Sequence, residues 1–317
     1  GNFNILLAPW PLTVHASDIR PSKRSSTHHR FGYFDFSPRS SRGVSSVKAW
    51  LTSLFAKAGQ IGQQIDLLVL PELAVSEEEW RDVVAVSAKY RANVICGVRV
   101  HPDDGGLGAN VLKVKAPYSW HDEIVQFKHH RWQIETGQIS VYGLGGTLDR
   151  SKAWWENIRI PERKLNFLAF NENLVVCPLI CEDLARQDPV AELVRSVGPN
   201  LVVALLMDGP QLSDRWSARY AAVLADDPGS SVLTITGLGM VRLSRPGMVK
   251  PSRVFGSWKD ALGKFTPLEV GEAEDAMILN IQFHKQEEIS VDGRSDGGVA
   301  SVPVLCGIHP LSSGGRR

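Results

Sequence analysis

Three residues could do chemistry together: Glu72, Lys128 and Cys181, and each follows an apolar run of strand length. Residues 174–180 read LVVCPLI, and Cys181-Glu182-Asp183 comes directly after. Ile124-Val125-Gln126-Phe127 precedes Lys128, and residues 65–70, IDLLVL, precede Pro71-Glu72. Strand ends on one side of an α/β sheet are where reactive groups collect. A thiol at a strand-to-turn junction can leave the core, with backbone N–H groups beyond it facing whatever the sulfur attacks. In such a set Glu72 would take the thiol proton and Cys181 would attack an electrophilic carbon. Lys128 would hold the negative charge that develops. Each residue also has an ordinary explanation: a core cysteine, a surface lysine, a carboxylate favoured at a helix start. Three such coincidences in order are harder to accept than one site.

The elements that must position these residues can be read from apolar patterning. Strands are predicted at residues 4–8, 65–70, 93–100, 109–114, 124–127, 165–169, 174–180, 201–207, 231–236, 254–256 and 276–283. Helices are predicted at 44–58, 77–90, 184–197 and 216–224, where apolar residues recur at helical spacing. Residues 131–154 look irregular and Gly-rich. Strands alternate with helices before antiparallel pairs enter, which predicts an α/β protein with a sheet of mixed direction. Residues 13–42 are polar and hold Arg20, Lys23, Arg24, Arg30, Arg39 and Arg42. They read as an inserted surface segment outside the core, either a solvated loop or a partner-binding arm. Residues 291–317 read as a Gly/Ser-rich tail that could take part in assembly.

Composition narrows the function classes. The 317 residues are 43% apolar, enough for a large core, and 35 basic against 34 acidic residues leave a net charge of +1. That balance gives no general case for nucleic acid or an anionic membrane as partner. The longest apolar run, residues 201–207, is too short for a bilayer span. No signal peptide is apparent. The four cysteines form no C-x-x-C pair, and no histidine stands at zinc spacing from them. Reduced thiols and a cytoplasmic location are expected, with no metal. Gly143-Leu144-Gly145-Gly146 lacks the strand–turn–helix context of a dinucleotide loop. His129 and His130 are adjacent and so point apart, which speaks against a metal pair.

The ordered set Leu70-Pro71-Glu72, Phe127-Lys128-His129 and Ile180-Cys181-Glu182-Asp183 resembles the nitrilase, or carbon–nitrogen hydrolase, superfamily. Gly198-Pro199-Asn200, Trp216, Arg219-Tyr220-Ala221, Phe255-Gly256-Ser257 and Leu262-Gly263-Lys264 extend the resemblance over roughly residues 4–283. It implies one domain, residues 1–290, folded as a four-layer α-β-β-α sandwich with two mixed sheets and assembled as a homo-oligomer. It implies hydrolysis of an amide, nitrile or carbamoyl carbon–nitrogen bond through a cysteine thioester, without cofactor. It also implies a second glutamate near the lysine, for which Glu135 is the matching candidate, and a role for the N–H of Glu182. The segment after Lys128 and the length of the 13–42 insertion depart from the family pattern. Glu182-Asp183 after the cysteine resembles the glutamine-hydrolysing domains of some NAD synthetases and leans toward an amide substrate. The chain starts at Gly1, so it could be a piece of a longer protein. Nitrilase-like domains fused to bacterial reverse transcriptases therefore supply the rival expectation, an interaction or assembly domain without turnover.

Overall fold

Uninterrupted β-branched and leucine runs become strands buried on both faces, and here they build two sheets. The computed structural model describes residues 2–23, 29–38, 46–101, 107–117, 123–244, 252–287 and 298–314. Along the first half run β1 (Phe3–Leu7), β2 (Ile19–Pro21), β3 (Phe31–Phe36), α1 (Val47–Gln60), β4 (Leu67–Ser76), α2 (Glu77–Lys89) and β5 (Asn93–Val100). Then come β6 (Ala109–Lys115), β7 (Ile124–Phe127), β8 (Gln133–Ile134), α3 (Thr136–Val141) and β9 (Ala153–Glu156). The second half holds β10 (Leu168–Asn171), β11 (Leu174–Ile180), α4 (Glu192–Val197), β12 (Leu201–Leu206), α5 (Trp216–Asp226) and β13 (Ser231–Thr236). It ends with α6 (Leu238–Leu243), β14 (Val254–Lys259), β15 (Phe265–Glu269), β16 (Ala276–Glu287) and β17 (Val299–Leu311).

The seven-stranded sheet has the order β17-β16-β1-β4-β5-β6-β7, and the six-stranded sheet the order β10-β11-β12-β13-β14-β15. Both are mixed: β1-β4-β5 and β11-β12-β13 are parallel, and their flanks are antiparallel. The two sheets pack on each other through β4, β6, β11, β12 and β13, while α1 and α2 cover one outer face and α5 the other. This is the α-β-β-α sandwich that the family resemblance implies. The helix starts have local causes. Ser76 accepts from the N–H of Glu79 while the Glu79 carboxylate accepts from the N–H of Ser76, which closes the first turn of α2. Val47, Trp50, Leu51, Leu54, Phe55 and Ala58 form the buried stripe of α1.

Three expectations are corrected. Residues 13–42 are not merely a surface segment. β2 and β3 lie within them and join β9 and β8 in a third sheet of four strands, order β2-β3-β9-β8. Val14, Ile19, Phe34 and Phe36 are buried there in a second apolar cluster with Trp132, Ile134 and Trp154. Arg20, Lys23 and Arg30 are exposed, and Arg24, Arg39 and Arg42 lie outside the described residues. The alternation of Phe34 and Phe36 with polar neighbours explains the strand: one face finds an apolar partner surface. Next, residues 131–154 hold β8, α3 and the start of β9 rather than irregular chain. Finally, the tail carries β17, which pairs with β16 from Ala276↔Leu311 to Glu287↔Val299 and so completes the edge of the seven-stranded sheet. Its part at residues 291–297 lies outside the described residues. Among the described residues, no helix is long and apolar enough to cross a membrane.

Phe34 is 1% exposed and meets Trp132 edge-to-face at 5.7 Å. Phe34→Ala should therefore lower unfolding stability in urea by about 3–5 kcal/mol, the usual loss for a buried aromatic. A loss below about 0.5 kcal/mol would mean that the third sheet is not part of the cooperative structure.

Candidate active site

Glu72 leaves the regular ladder of β4 on a bulge. Leu70 pairs with Cys96 and Val75 with Val98, so Pro71–Ala74 stand opposite Gly97 alone. Gly97 makes this possible: a Cβ there would lie 2.3 Å from the Pro71 carbonyl oxygen and 2.6 Å from the Glu72 Cα. Leu73 takes φ +51°, a left-handed conformation that costs an ordinary side chain about 1–2 kcal/mol. The carbonyls freed by the bulge are recovered by Arg99, itself buried. Its guanidinium donates to the oxygens of Leu73 and Ala74 and pairs with Glu79 at 3.3 Å. Sequence reading misses Gly97 and Arg99; the bulge that needs them is formed only by tertiary packing.

Lys128, at the end of β7, is 1% exposed. Its ammonium donates to Glu72 Oε1 at 2.8 Å and to Glu156 Oε2 at 2.7 Å. Asn110 bridges the same carboxylates, donating to Glu72 Oε1 at 2.7 Å and Glu156 Oε1 at 2.8 Å. The Trp132 N–H adds a third bond to Glu156, at 3.1 Å to Oε2. Both oxygens of Glu156 are thus engaged. Glu72 Oε2, in contrast, is buried and has no hydrogen-bond partner among the described residues.

The second carboxylate in contact with Lys128 is therefore Glu156, not Glu135. Glu135 is exposed at the start of α3, where its own N–H donates to the Gln138 side chain at 3.1 Å. It lines the cavity described below without touching the lysine. Glu156 is hard to find in sequence because it lies 28 residues beyond Lys128 on a strand held by the insertion, paired with Phe34 of β3. The run Ala153-Trp154-Trp155-Glu156 is the available signal.

Cys181 comes from the other sheet. It follows β11 at φ +44° and opens a 3-10 turn, Cys181–Ala185. The long helix predicted for 184–197 is replaced by this turn, a kink at Asp188 and the short α4. A left-handed cysteine is strain of a kind that persists where surrounding structure holds it. Here Asp183, fully buried, holds the turn to the segment after Lys128. It accepts from the His129 N–H at 3.2 and 3.1 Å and sits 2.9 Å from His130 Nδ1. Gln126, two residues before Lys128, donates to the Pro178 carbonyl at 2.9 Å and ties the two sheets together. Glu182 forms a partly exposed pair with Arg186 at 2.9 Å, while its backbone N–H lies in the first turn, where helical groups lack internal partners.

The charges are mutually adjusted. Burial raises the Glu72 carboxyl above its ordinary range, and Glu156 pushes the same way against the pull of Lys128. Burial would lower the Lys128 amine, but Glu156, Glu72 and Cys181 outweigh it and hold the ammonium. Burial and the Glu72 charge push the Cys181 thiol well up, opposed by Lys128 and by a hydrogen bond from the Met207 backbone. The surroundings thus favour the thiol at Cys181 over the thiolate that a neighbouring ammonium alone would favour.

Cys181 opens on a cavity of ≈ 660 Å³ shared with Arg131, Trp132, Glu182, Asp208 and Trp216. Asp208, at the end of β12, is held by Tyr142 at 2.7 Å, by Trp216 at 2.9 Å and by Arg215. That network ties the end of α3 to the segment after β12. The arrangement can bind a small molecule, take a proton from a thiol and hold an anion beside a fixed cation. No group of three or more His, Cys, Asp or Glu placed to hold a metal occurs among the described residues.

No protein-family model and no curated protein matches the chain. Solved structures do. Nit3 of Saccharomyces cerevisiae, a member of branch 10 of the nitrilase superfamily, superposes with a TM-score of 0.52 at 14% identity, over 88% of this chain and 89% of that one. An amidase from Nesterenkonia sp. gives 0.51 at 13% identity, over 88% and 89%. A glutamine-dependent NAD+ synthetase from Acinetobacter baumannii gives 0.51 at 12%, over 89% of this chain but 46% of that one, so the chain spans about half its length. The fold is thus that of nitrilase-superfamily structures.

The buried charges generate a stability test. Lys128→Met leaves Glu72 and Glu156 without their cation and should cost about 3–5 kcal/mol at pH 7. Without the ammonium, which pulls the raised Glu72 carboxyl down, that folded-state carboxyl lies further above its unfolded value, so the folded variant takes up more protons as pH falls. Its deficit against the parent should shrink between pH 7 and 5 in urea unfolding. A deficit constant with pH would contradict the assignment of charge.

Proposed function

We propose that the chain hydrolyses a carbon–nitrogen bond, in an amide by preference, through a thioester on Cys181. One observation carries the reading: a buried ammonium fixed by two carboxylates, of which one, Glu72, keeps an oxygen unpartnered, with the charges of Glu72 and Lys128 acting on a strained strand-end thiol. The fold shared with an amidase and with a nitrilase-superfamily protein supports it.

The chemistry follows from the bonds. Glu72 Oε2 takes the thiol proton as Cys181 Sγ forms a bond to the carbonyl carbon. The carbonyl oxygen gains the negative charge, which the Lys128 ammonium and the Glu182 N–H hold. Glu72 returns the proton to nitrogen, the carbon–nitrogen bond breaks, and ammonia or an amine leaves. Water then attacks the thioester carbon with Glu72 again as base, and the acid leaves as the sulfur recovers its proton. Both Glu156 oxygens already accept hydrogen bonds, and the residue acts by positioning Lys128. The supporting part expected of Glu135 falls to Glu156. Glu182 contributes through its backbone.

Ammonia release from a panel of primary amides and nitriles tests this. Cys181→Ala should abolish turnover. Glu72→Gln should lower kcat/KM by about 10²–10⁴, the range for a general base, and Glu156→Gln by less. Because burial raises the Glu72 carboxyl, the acid limb of the parent's pH–rate profile should lie above the ordinary carboxyl value of 4.5, with activity falling as pH drops through it. Full turnover by Cys181→Ala, or equal losses in the two glutamine variants, would overturn the roles given.

A further inference from the structure

The cavity over Cys181 does not end at its rim. A second cavity of ≈ 400 Å³ shares Arg131, Trp155 and Arg186 with it and continues outward along the third sheet. Together they exceed what a short aliphatic amide would fill. The outer cavity has a composition of its own: the rings of Phe31, Tyr33 and Trp155, and the guanidinium groups of Arg131, Arg163 and Arg186.

The rings are placed by sheet register. Tyr33 pairs with Trp155 across the parallel β3–β9 ladder, so their side chains stand side by side on one face. Phe31, two residues before Tyr33 on the same face, meets it edge-to-face at 6.3 Å. In the same strand as Trp155, Glu156 alternates to the opposite face, toward Lys128. β3 belongs to the inserted segment, so the insertion that builds the outer cavity also braces the glutamate behind the lysine.

The cations exceed the anions. Across both cavities stand Arg131, Arg163, Arg186, Arg215 and Arg219 against Glu135, Glu182 and Asp208. Arg186 pairs with Glu182 and Arg215 with Asp208. Arg131 donates to the Ile158 carbonyl at 2.7 Å but has no carboxylate partner among the described residues, and neither has Arg163. Nε of Arg131 and of Arg186 is buried without a hydrogen-bond partner among those residues. Guanidinium forks beside aromatic faces suit a planar group carrying an anion: the ring stacks and the oxygens take paired N–H bonds.

We propose that the outer cavity is a distal subsite for a planar aromatic anion, so that the substrate is an amide whose acyl chain ends in such a group. This rests on the hydrolase reading for the inner cavity, and the tests separate the two. Isothermal titration with 1-naphthyl phosphate reads the subsite without turnover. The parent should bind it at least tenfold more tightly than 1-naphthol or inorganic phosphate. Arg163→Gln, at an exposed position, and Tyr33→Ala should each weaken it at least fivefold, with the unfolding midpoint of Arg163→Gln unchanged. Cys181→Ala should bind it as the parent does. Equal affinity for 1-naphthol, or no loss in Arg163→Gln and Tyr33→Ala, would overturn the subsite. Turnover is compared between butyramide and a butyramide whose chain carries a terminal phenyl phosphate. The parent should favour the phenyl phosphate amide at least tenfold in specificity constant, and Arg163→Gln should lose most of that preference. Ammonia release with no preference between the two amides would refute the subsite and leave the hydrolase; no release from either would refute the hydrolase itself.

Discussion

The buried ammonium of Lys128 between Glu72 and Glu156 constrains the rest of the structure. Taking three charges out of water costs several kcal/mol per ion, and attraction offsets that cost only when the remaining hydrogen-bonding groups are satisfied. Asn110 and the Trp132 N–H, with the ammonium itself, give both Glu156 oxygens a partner. Glu72 is satisfied on one oxygen only. Of the two carboxylates that face the one ammonium, Glu72 is the one that keeps a buried oxygen unpartnered among the described residues. Burial, and to a lesser degree Glu156, raises the Glu72 carboxyl against the pull of Lys128.

Each member of the cluster is delivered by a different part of the fold. Glu72 needs the β4 bulge, which needs Gly97 for space and Arg99 for its carbonyls. Lys128 needs β7 at the sheet edge, where its own N–H bonds the Asn110 carbonyl. Glu156 needs β9, paired on one side with β3 of the insertion. Cys181 comes from the opposing sheet, and Gln126 and Asp183 bond across the seam. The site therefore exists only where two sheets face each other and a third closes one end. No single element holds it.

Much of this is legible in sequence where the signal is local. Residues 93–100, 124–127, 174–180 and 231–236 are strands with the bounds that their apolar runs suggest. Glu72, Lys128 and Cys181 stand out because polar residues terminate those runs. What is not legible depends on distant pairing. The inserted segment looks like solvated loop because its arginines mask the alternation around Phe34 and Phe36; those side chains are buried in a cluster that includes Trp132 and Trp154, nearly a hundred residues or more later. Glu156 is hidden for the same reason, and Glu135 draws the eye only by its closeness in sequence to Lys128. The Gly- and Ser-rich tail conceals β17, whose partner β16 supplies the regular pattern. The helix expected at 184 gives way because the turn is anchored by Asp183, not by its own periodicity.

The central claim is that the Cys181 sulfur becomes bonded to the acyl carbon of a substrate. Intact mass spectrometry during turnover, with the modified peptide then located, measures this directly. A primary amide hydrolysed by the chain should add the mass of the amide less ammonia, on Cys181, and hydroxylamine should remove it. Turnover with no such adduct under rapid acid quench, or an adduct on Cys96 or Cys306 while Cys181 stays unmodified, would contradict the account.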